Sequence, residues 1–455
     1  MLQIVISIAV FIYAIFNYKK GLIAFLALQV IWFKDAQILN VPGLASVNID
    51  LVMDIAFVLL FVVKKKKLKL SKVRFPLILP FILLGISWLL SCLGARSFLG
   101  EFVRAAGNIC IRLLFVTVLW YVIEDHKDFV TLFKWITIII FVASIFSLIE
   151  YVIQNNYVLE YKTSLTDVKI TTYNTDEYSM ANRGYRSYSL FEHTITTALL
   201  YGFYLVFTPT ILVIFRERIK LKRIAIITCI LCVPGILLTK MRTGVFFVIL
   251  GLFLEFGDLL KKLKRKRLFN VLLIGLFAFI IVSPAIVKNA NLVLSIFSRK
   301  AQSSVGGSSF SWRLVQARYI FDFGKQSFFV GFGEKFRDIP ELISIRKYTG
   351  DFESVWFEQF LAHGFLGVFA YLVLVYYTTI KLSREYGSKH LLRFSTAYWV
   401  TYTMTSLPYF RTFLFYLVLF YFIKKTDKYK RKSSSVIYIN KMTLDDCSTS
   451  VKLLN

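Results

Sequence analysis

Over 455 residues the chain is 57% hydrophobic and 18% charged, with a mean hydropathy of +0.64; a soluble domain has roughly 45–50% apolar and about 25% charged residues. That excludes an ordinary water-soluble globular fold. Lys and Arg exceed Asp and Glu by 28, but in short bursts between apolar runs, which marks membrane topology and contact with anionic headgroups and excludes nucleic acid as a partner.

A helical span needs about 20 apolar residues, and candidate spans begin near residues 2, 21, 49, 75, 108, 129, 187, 224, 243, 268, 354, 394 and 410. The N-terminal run MLQIVISIAVFIYAIFN has no basic stretch before its apolar core and no small-residue cleavage site, so it reads as a retained first span. Short basic connections (YKK at 18–20, KKKKLKLSKVR at 64–74, RERIKLKR at 216–223, KKLKRKR at 261–267, the tail from 424) alternate with mixed ones (34–48, 95–108, 152–186, 288–352). Positive charge stays in the cytoplasm. The expected fold is therefore an all-α polytopic integral membrane protein of about 12–14 transmembrane helices, N-terminus outside and C-terminus inside, with a long outer loop between the tenth and eleventh spans. The expected divisions are N-terminal helices at 1–151, an outer loop at 152–186, middle helices at 187–287, the long outer loop at 288–352, C-terminal helices at 353–423 and a basic cytoplasmic tail at 424–455.

The five cysteines make no framework. Cys229 and Cys232 form a CxxC inside an apolar helix with no further ligand nearby, which is packing rather than a zinc or redox site. Cys92 and Cys110 bracket one loop and could pair under oxidation.

Residues 288–352 exceed what a connection requires. Phe310, Trp312, Phe321, Phe323 and Phe328 argue for order, with a short helix at 310–323 and a tight turn at Gly331 and Gly333. Aromatic rings beside Arg, Asp and Ser suit a carbohydrate ligand, and equally suit an interfacial aromatic belt. Cations gather on the same side: Arg183 and Arg186 before the seventh span, Lys240 and Arg242 between the eighth and ninth, and Arg313 and Arg318 on the long loop, some 140° apart on a helix. Any one of them could snorkel to lipid phosphate. As a set they suit one polyanion, since guanidinium holds phosphate bidentately and pyrophosphate needs more than one.

The stretch DFESVWFEQFLAHGFLG at 351–367 opens the eleventh span. On an unbroken helix Gly364 projects within about 20° of Glu353, and Trp356 lies about 60° away. A carboxylate, a ring and a glycine would share a face looking into a cavity, although acidic residues also simply stabilise helix N-termini. Glu358 and His363 fit a polar interior, and His193 is the other histidine of the outer half, whereas His126 and His390 fall in cytoplasmic connections.

Four segments resemble the bacterial O-antigen ligase and Wzy-type polysaccharide polymerase superfamily: RSYSLFEHTITTALL, LLTKMRTGVFFVILG (with Met241 for the usual small polar residue), SFSWRLVQARYIFDFGKQSFFVGFG and ESVWFEQFLAHGFLGVFAYL. The resemblance covers mostly residues 180–380 and implies a GT-C-like fold. It also implies a metal-independent, inverting glycosyl transfer at the outer face, with no cofactor. Donor and acceptor would be oligosaccharides on undecaprenyl pyrophosphate, in the company of membrane lipids, a chain-length regulator and a flippase. Where ligases carry His-Asn this chain has Glu353-Ser354, which favours a polymerase of capsule, exopolysaccharide or O-antigen. The implied roles are pyrophosphate binding by Arg183, Arg186, Lys240 and Arg242, with Arg242 also catalytic. Arg313, Arg318, Trp312 and Trp356 would bind glycan. Glu353 would be the general base, with His193 as the alternative. The rivals are a ligase with another acceptor, a lipid-linked oligosaccharide flippase, and a structural membrane partner. The first is separated by its acceptor, the second by mid-membrane polar breaks.

Overall fold

Lipid offers peptide groups no hydrogen-bond partner, so long apolar runs must close their own bonds as helices. The computed structural model describes residues 2–32, 37–39, 47–68, 70–71, 73–164, 184–262, 310–349, 352, 354–405 and 411–426. The expected tenth span near 268 and the tail beyond 433 lie outside them.

In chain order the helices are α1 (Leu2–Phe16), α2 (Tyr18–Ile31), α3 (Ile49–Lys64), α4 (Ile78–Leu90), α5 (Phe98–Val122), α6 (His126–Ile153) and α7 (Tyr157–Ser164). They continue with α8 (Thr194–Ile214), α9 (Ile219–Thr239), α10 (Arg242–Lys262), α11 (Phe310–Gly324), α12 (Pro340–Thr349), α13 (Val355–Glu385), α14 (Lys389–Tyr402) and α15 over 412–426. A single antiparallel ribbon, Gln37–Leu39 with Val47–Asn48, joins α2 to α3. Among the described residues α5, α6, α8, α9 and α13 are long and apolar enough to cross a membrane, and α1 and α4 are shorter apolar helices. Exposed Ile82, Ile149, Ile230, Phe253, Phe369 and Leu372 face outward, as they should where the solvent is lipid. The protein is an all-α polytopic membrane protein.

The bundle packs α8 against α9 and α10, α6 against α2 and α9, α10 against α14, and α13 against α4. Small residues let these backbones approach: a Cβ added at Gly244 would lie 2.5 Å from that of Ala198. One aromatic-rich core runs through the bundle, with Phe25, Phe57, Trp120, Tyr398 and Phe420 at its centre. A second, small core of Ile320, Phe336, Ile339, Leu342, Phe352, Leu361 and Ala362 holds the 310–352 region onto α13. That region is thus ordered, with α11 and the Gly331–Gly333 turn falling where its rings and glycines placed them.

Two helix starts and one helix interior differ from expectation. Helix α5 begins at Phe98 rather than near 108, absorbing the expected loop through a π-helical stretch at Ile109–Leu114. Helix α8 begins at Thr194 rather than 187, because residues 184–193 are held in a separate strap. Helix α13 breaks at Gly364 (φ 62°, ψ −160°), so no continuous helical face runs from its start past that residue.

Candidate functional site

The strap at 184–193 is fixed by one buried acid. Glu150, at the last turn of α6, accepts from Ser187 Oγ (2.6 Å), Ser189 N (2.6 Å), Tyr188 N (2.9 Å) and Tyr185 O–H (3.2 Å). Buried polar groups demand partners, and here one carboxyl group satisfies both backbone and side chain of the strap. Ser187 N also donates to Leu238 O at 3.1 Å, which ties the strap to the end of α9. Asn156 Nδ2 donates to Ser189 O at 2.8 Å, and Tyr201 O–H to Ser189 Oγ at 3.0 Å.

This anchoring brings the middle-region cations together. Arg186 sits on the strap and is 3% exposed. Helix α9 ends on left-handed Lys240 (φ 52°), whose ammonium lies 5.8 Å above the Tyr151 ring and 3.0 Å from where a Cβ on Gly184 would stand. Arg242 opens α10 two residues later. His193 caps α8: its Nδ1 accepts from Ile195 N at 3.1 Å. Burial pushes the His193 pKa down to about 4, with the Arg186 charge adding to that and Glu192 opposing it.

The strap leads into a cavity. Glu192 is paired with Arg411 at 3.0 Å, and Arg411 Nη2 also donates to Trp32 O at 2.9 Å. Arg411 then lines a hollow of about 340 Å³ whose polar wall includes Asp50, Asp54, Trp88, Asn108 and Arg112. Arg112 lies within the π-helical stretch of α5, a distortion frequent at functional sites.

The Gly331-Phe332-Gly333 turn docks into the break of α13. Phe332 N donates to Leu361 O (2.8 Å) and Gly333 N to Ala362 O (2.9 Å), while Phe365 N and Leu366 N donate to Phe328 O (2.7 Å) and Phe329 O (3.2 Å). The loop thus satisfies the groups the broken helix releases, which is the condition for irregular backbone inside a membrane protein. Glu334 follows this turn. It accepts from Asn108 Nδ2 at 3.1 Å, stands 3.4 Å from His363 Nε2, and its own N donates to Glu101. Partial burial opposes ionisation of Glu334, but neighbouring His363 and the charges of Arg112 and Arg104 outweigh it and hold the pKa down to about 2. Arg337 pairs with buried Glu358.

Arg186 and His193 thus lie on the strap, Lys240 stands beside its Gly184, and Arg242 opens α10 two residues beyond Lys240. Arg183 and Glu353 lie outside the described residues, as does the side chain of Trp312. Arg313 Nη2 reaches Met404 O at 3.2 Å, whereas Arg318 on the same helix is exposed, as their 140° separation requires. Trp356 is half-buried and packs edge-on against Tyr371, a cavity-lining ring, at 6.3 Å. Cys92, Cys110, Cys229 and Cys232 are all free thiols. Among the described residues no group of three or more His, Cys, Asp or Glu could hold a metal ion. Sequence reasoning missed Glu150, Glu192, Glu334, Arg112 and Arg411. Three of them interrupt apolar runs (IFSLIEYVI, ICIRLLFV, RTFLFYLVLF), and an ionisable group in such a run is itself a sign of function.

Residues 227–372 match the family model described as O-antigen ligase, Wzy_C. Over that span the chain is similar to O-antigen ligases. No curated protein matches the chain. The ligase domain contains Lys240, Arg242, Arg313, the Gly-x-Gly turn and the broken helix. It excludes Glu150, Arg186, His193 and nearly all of the cavity wall, which come from flanking helices. The match supports an enzyme role in ligase- or polymerase-type glycan transfer.

Proposed function

We propose that the protein is a polysaccharide polymerase that joins oligosaccharide repeat units carried on undecaprenyl pyrophosphate. The reading is supported by the placement of Arg186 on a buried strap, of Lys240 beside that strap and of Arg242 two residues further on. Three cations on three chain segments suit a diphosphate, which one snorkelling side chain does not.

An acceptor hydroxyl attacks C1 of the donor sugar from the face opposite the diphosphate. The C1–O bond breaks with inversion, and undecaprenyl pyrophosphate leaves with the bonding electrons. Negative charge grows on the leaving oxygen, where Arg186, Lys240, Arg242 and Arg183 stabilise it. Groups placed in advance for such charge are each worth roughly 10²–10³-fold in rate. The hydroxyl proton goes to Glu353. His193 is the weaker base: its Nδ1 lone pair is engaged by Ile195 N–H, and neutral imidazole then carries its proton on Nε2, which makes it a hydrogen-bond donor to phosphate. Arg313, Arg318, Trp312 and Trp356 guide the glycan. No metal or cofactor takes part.

The site gathers the C-terminal ends of α4, α6 and α9 and the N-terminal ends of α3, α8, α10 and α13 at one end of the bundle. The basic connections at Lys64–Lys67 and 216–223 leave from the opposite ends of α3, α8 and α9. The positive-inside rule thus supports placing the site at the outer face, with the C-terminus in the cytoplasm.

The test incubates purified protein with undecaprenyl-pyrophosphate-linked repeat units. A ladder of products supports a polymerase. A single transfer to a different acceptor would make it a ligase, and translocation without new bonds a flippase. Glu353→Gln is expected to lower polymer yield about 10²–10⁴-fold; unchanged yield would remove Glu353 from the mechanism.

A further inference from the structure

The cavity beside the strap is built almost wholly outside the ligase domain, from α2, α3, α4, α5 and α15. Its volume of about 340 Å³ lies within the usual range of small-ligand sites, about 300–1,000 Å³. Asp50 and Asp54 line it with Arg112 and with Arg411, whose charge is already taken by Glu192. A wall with no spare positive charge does not call for an anion, so this hollow differs in kind from the cationic strap beside it.

Gln29 Oε1 and Trp88 Nε1 are among the buried polar atoms of its lining residues that have no protein partner. Gln29, 7% exposed, uses Nε2 to donate to Asp54 Oδ1 at 2.8 Å, but its Oε1 accepts nothing. Trp88, 2% exposed, presents an indole N–H that reaches no acceptor. Buried groups are normally satisfied, so one unused acceptor and one unused donor on facing helices await a ligand group offering both. Hydroxyls do so. The Trp88 ring is itself occupied, by Arg112 at 5.9 Å and by the His363 ring at 6.1 Å. Trp88 therefore serves the cavity through its N–H edge.

We propose that this cavity is a subsite for one uncharged sugar ring of the lipid-linked glycan. Gln29 Oε1 accepts from one hydroxyl, Trp88 Nε1 donates to another, and the α3 carboxylates complete the reading of the ring. The N-terminal helices thereby select the sugar while the ligase domain and strap hold the diphosphate. The inference rests on the proposed function and adds the part of the chain that carries specificity.

The test measures binding to the full chain in nanodiscs with two probes. One is undecaprenyl pyrophosphate bearing the repeat unit made in the protein's own cells, and the other is glycan-free undecaprenyl pyrophosphate. Trp88→Phe and Gln29→Leu are each expected to weaken the glycosylated probe about tenfold, the loss of one buried hydrogen bond. Binding of the glycan-free probe should stay unchanged, which also shows that the variants are folded. Unchanged binding of the glycosylated probe in both variants, or equal loss of both probes, overturns the subsite. If the unaltered protein binds the glycosylated probe no better than the glycan-free one, the subsite fails while the diphosphate reading stands. Binding of neither probe overturns the function and the subsite together.

Discussion

At the scale of the residue, His193 joins backbone capping to a charge environment that keeps it neutral. Burial, and then Arg186 against the opposing pull of Glu192, place its pKa at about 4, below the ordinary 6.5. Between those values the unfolded chain binds a proton that the folded protein refuses, so stability rises with pH across the window and falls as pH drops from about 6.5 to about 4. His193→Asn keeps a capping side chain and removes the titration. The variant is expected to show a flatter dependence of the thermal midpoint on pH between 4 and 7 in detergent-purified protein. A profile that overlays the unaltered one would contradict the placement. Glu334 has the same sign in a more acidic window: its depressed pKa of about 2 stabilises the fold above its ordinary range, and that contribution is lost as pH falls towards 2. The cations Arg186, Lys240 and Arg242 stood out in the sequence because charge on a connection assigned to the outer side has no topological reason to be there. Glu150 and Arg112 were harder to find, since each stands alone in an apolar run and only the fold shows what it holds.

At the scale of the element, two irregular segments define the site. The strap depends on Glu150. Glu150→Gln keeps the volume but loses an acceptor, leaving buried Ser187 or Ser189 donors unmatched at a cost of about 1–3 kcal/mol. Its thermal midpoint should fall and product formation should drop although Glu150 touches no substrate. A variant of unaltered stability and yield would mean that the strap does not need this anchor. The second segment is the Gly331–Gly333 turn in the break of α13. A Cβ at Gly331 (φ 72°) would meet the Ala362 carbonyl at 2.5 Å. Gly331→Ala therefore adds left-handed strain, of order 1–3 kcal/mol, to a clash with backbone that cannot retreat. Reduced stability and loss of product are expected, measured by melting and by the product ladder; tolerance of alanine would contradict the docking. The turn was readable from its paired glycines, whereas the break was not. Helical periodicity assumes an unbroken helix, so Gly364 looked like a close-packing position instead of the point where the chain leaves helical geometry.

At the scale of the molecule, hydropathy and the alternation of basic with mixed connections were enough to foresee an all-α polytopic membrane protein, because both follow from the bilayer as solvent. Four short motifs pointed to the O-antigen ligase superfamily, and the family match at 227–372 lies within the part of the chain that they cover. The cavity was not foreseeable. Asp50, Trp88, Arg112 and Arg411 come from four helices spread over most of the chain, and no local pattern records that they meet. Glycan transfer in this account is a division of labour, with a cationic strap for the diphosphate, flanking helices for the sugar and a broken helix that positions both. Its central claim is the grip on the diphosphate. The most direct measurement is the affinity of purified protein for glycan-free undecaprenyl pyrophosphate, before and after Arg242→Ala and Arg186→Ala. The account predicts weakening of about 10- to 100-fold for each, the loss of a charge-assisted hydrogen bond, in protein that remains folded. Folded variants that bind the lipid as tightly as the unaltered protein would contradict it.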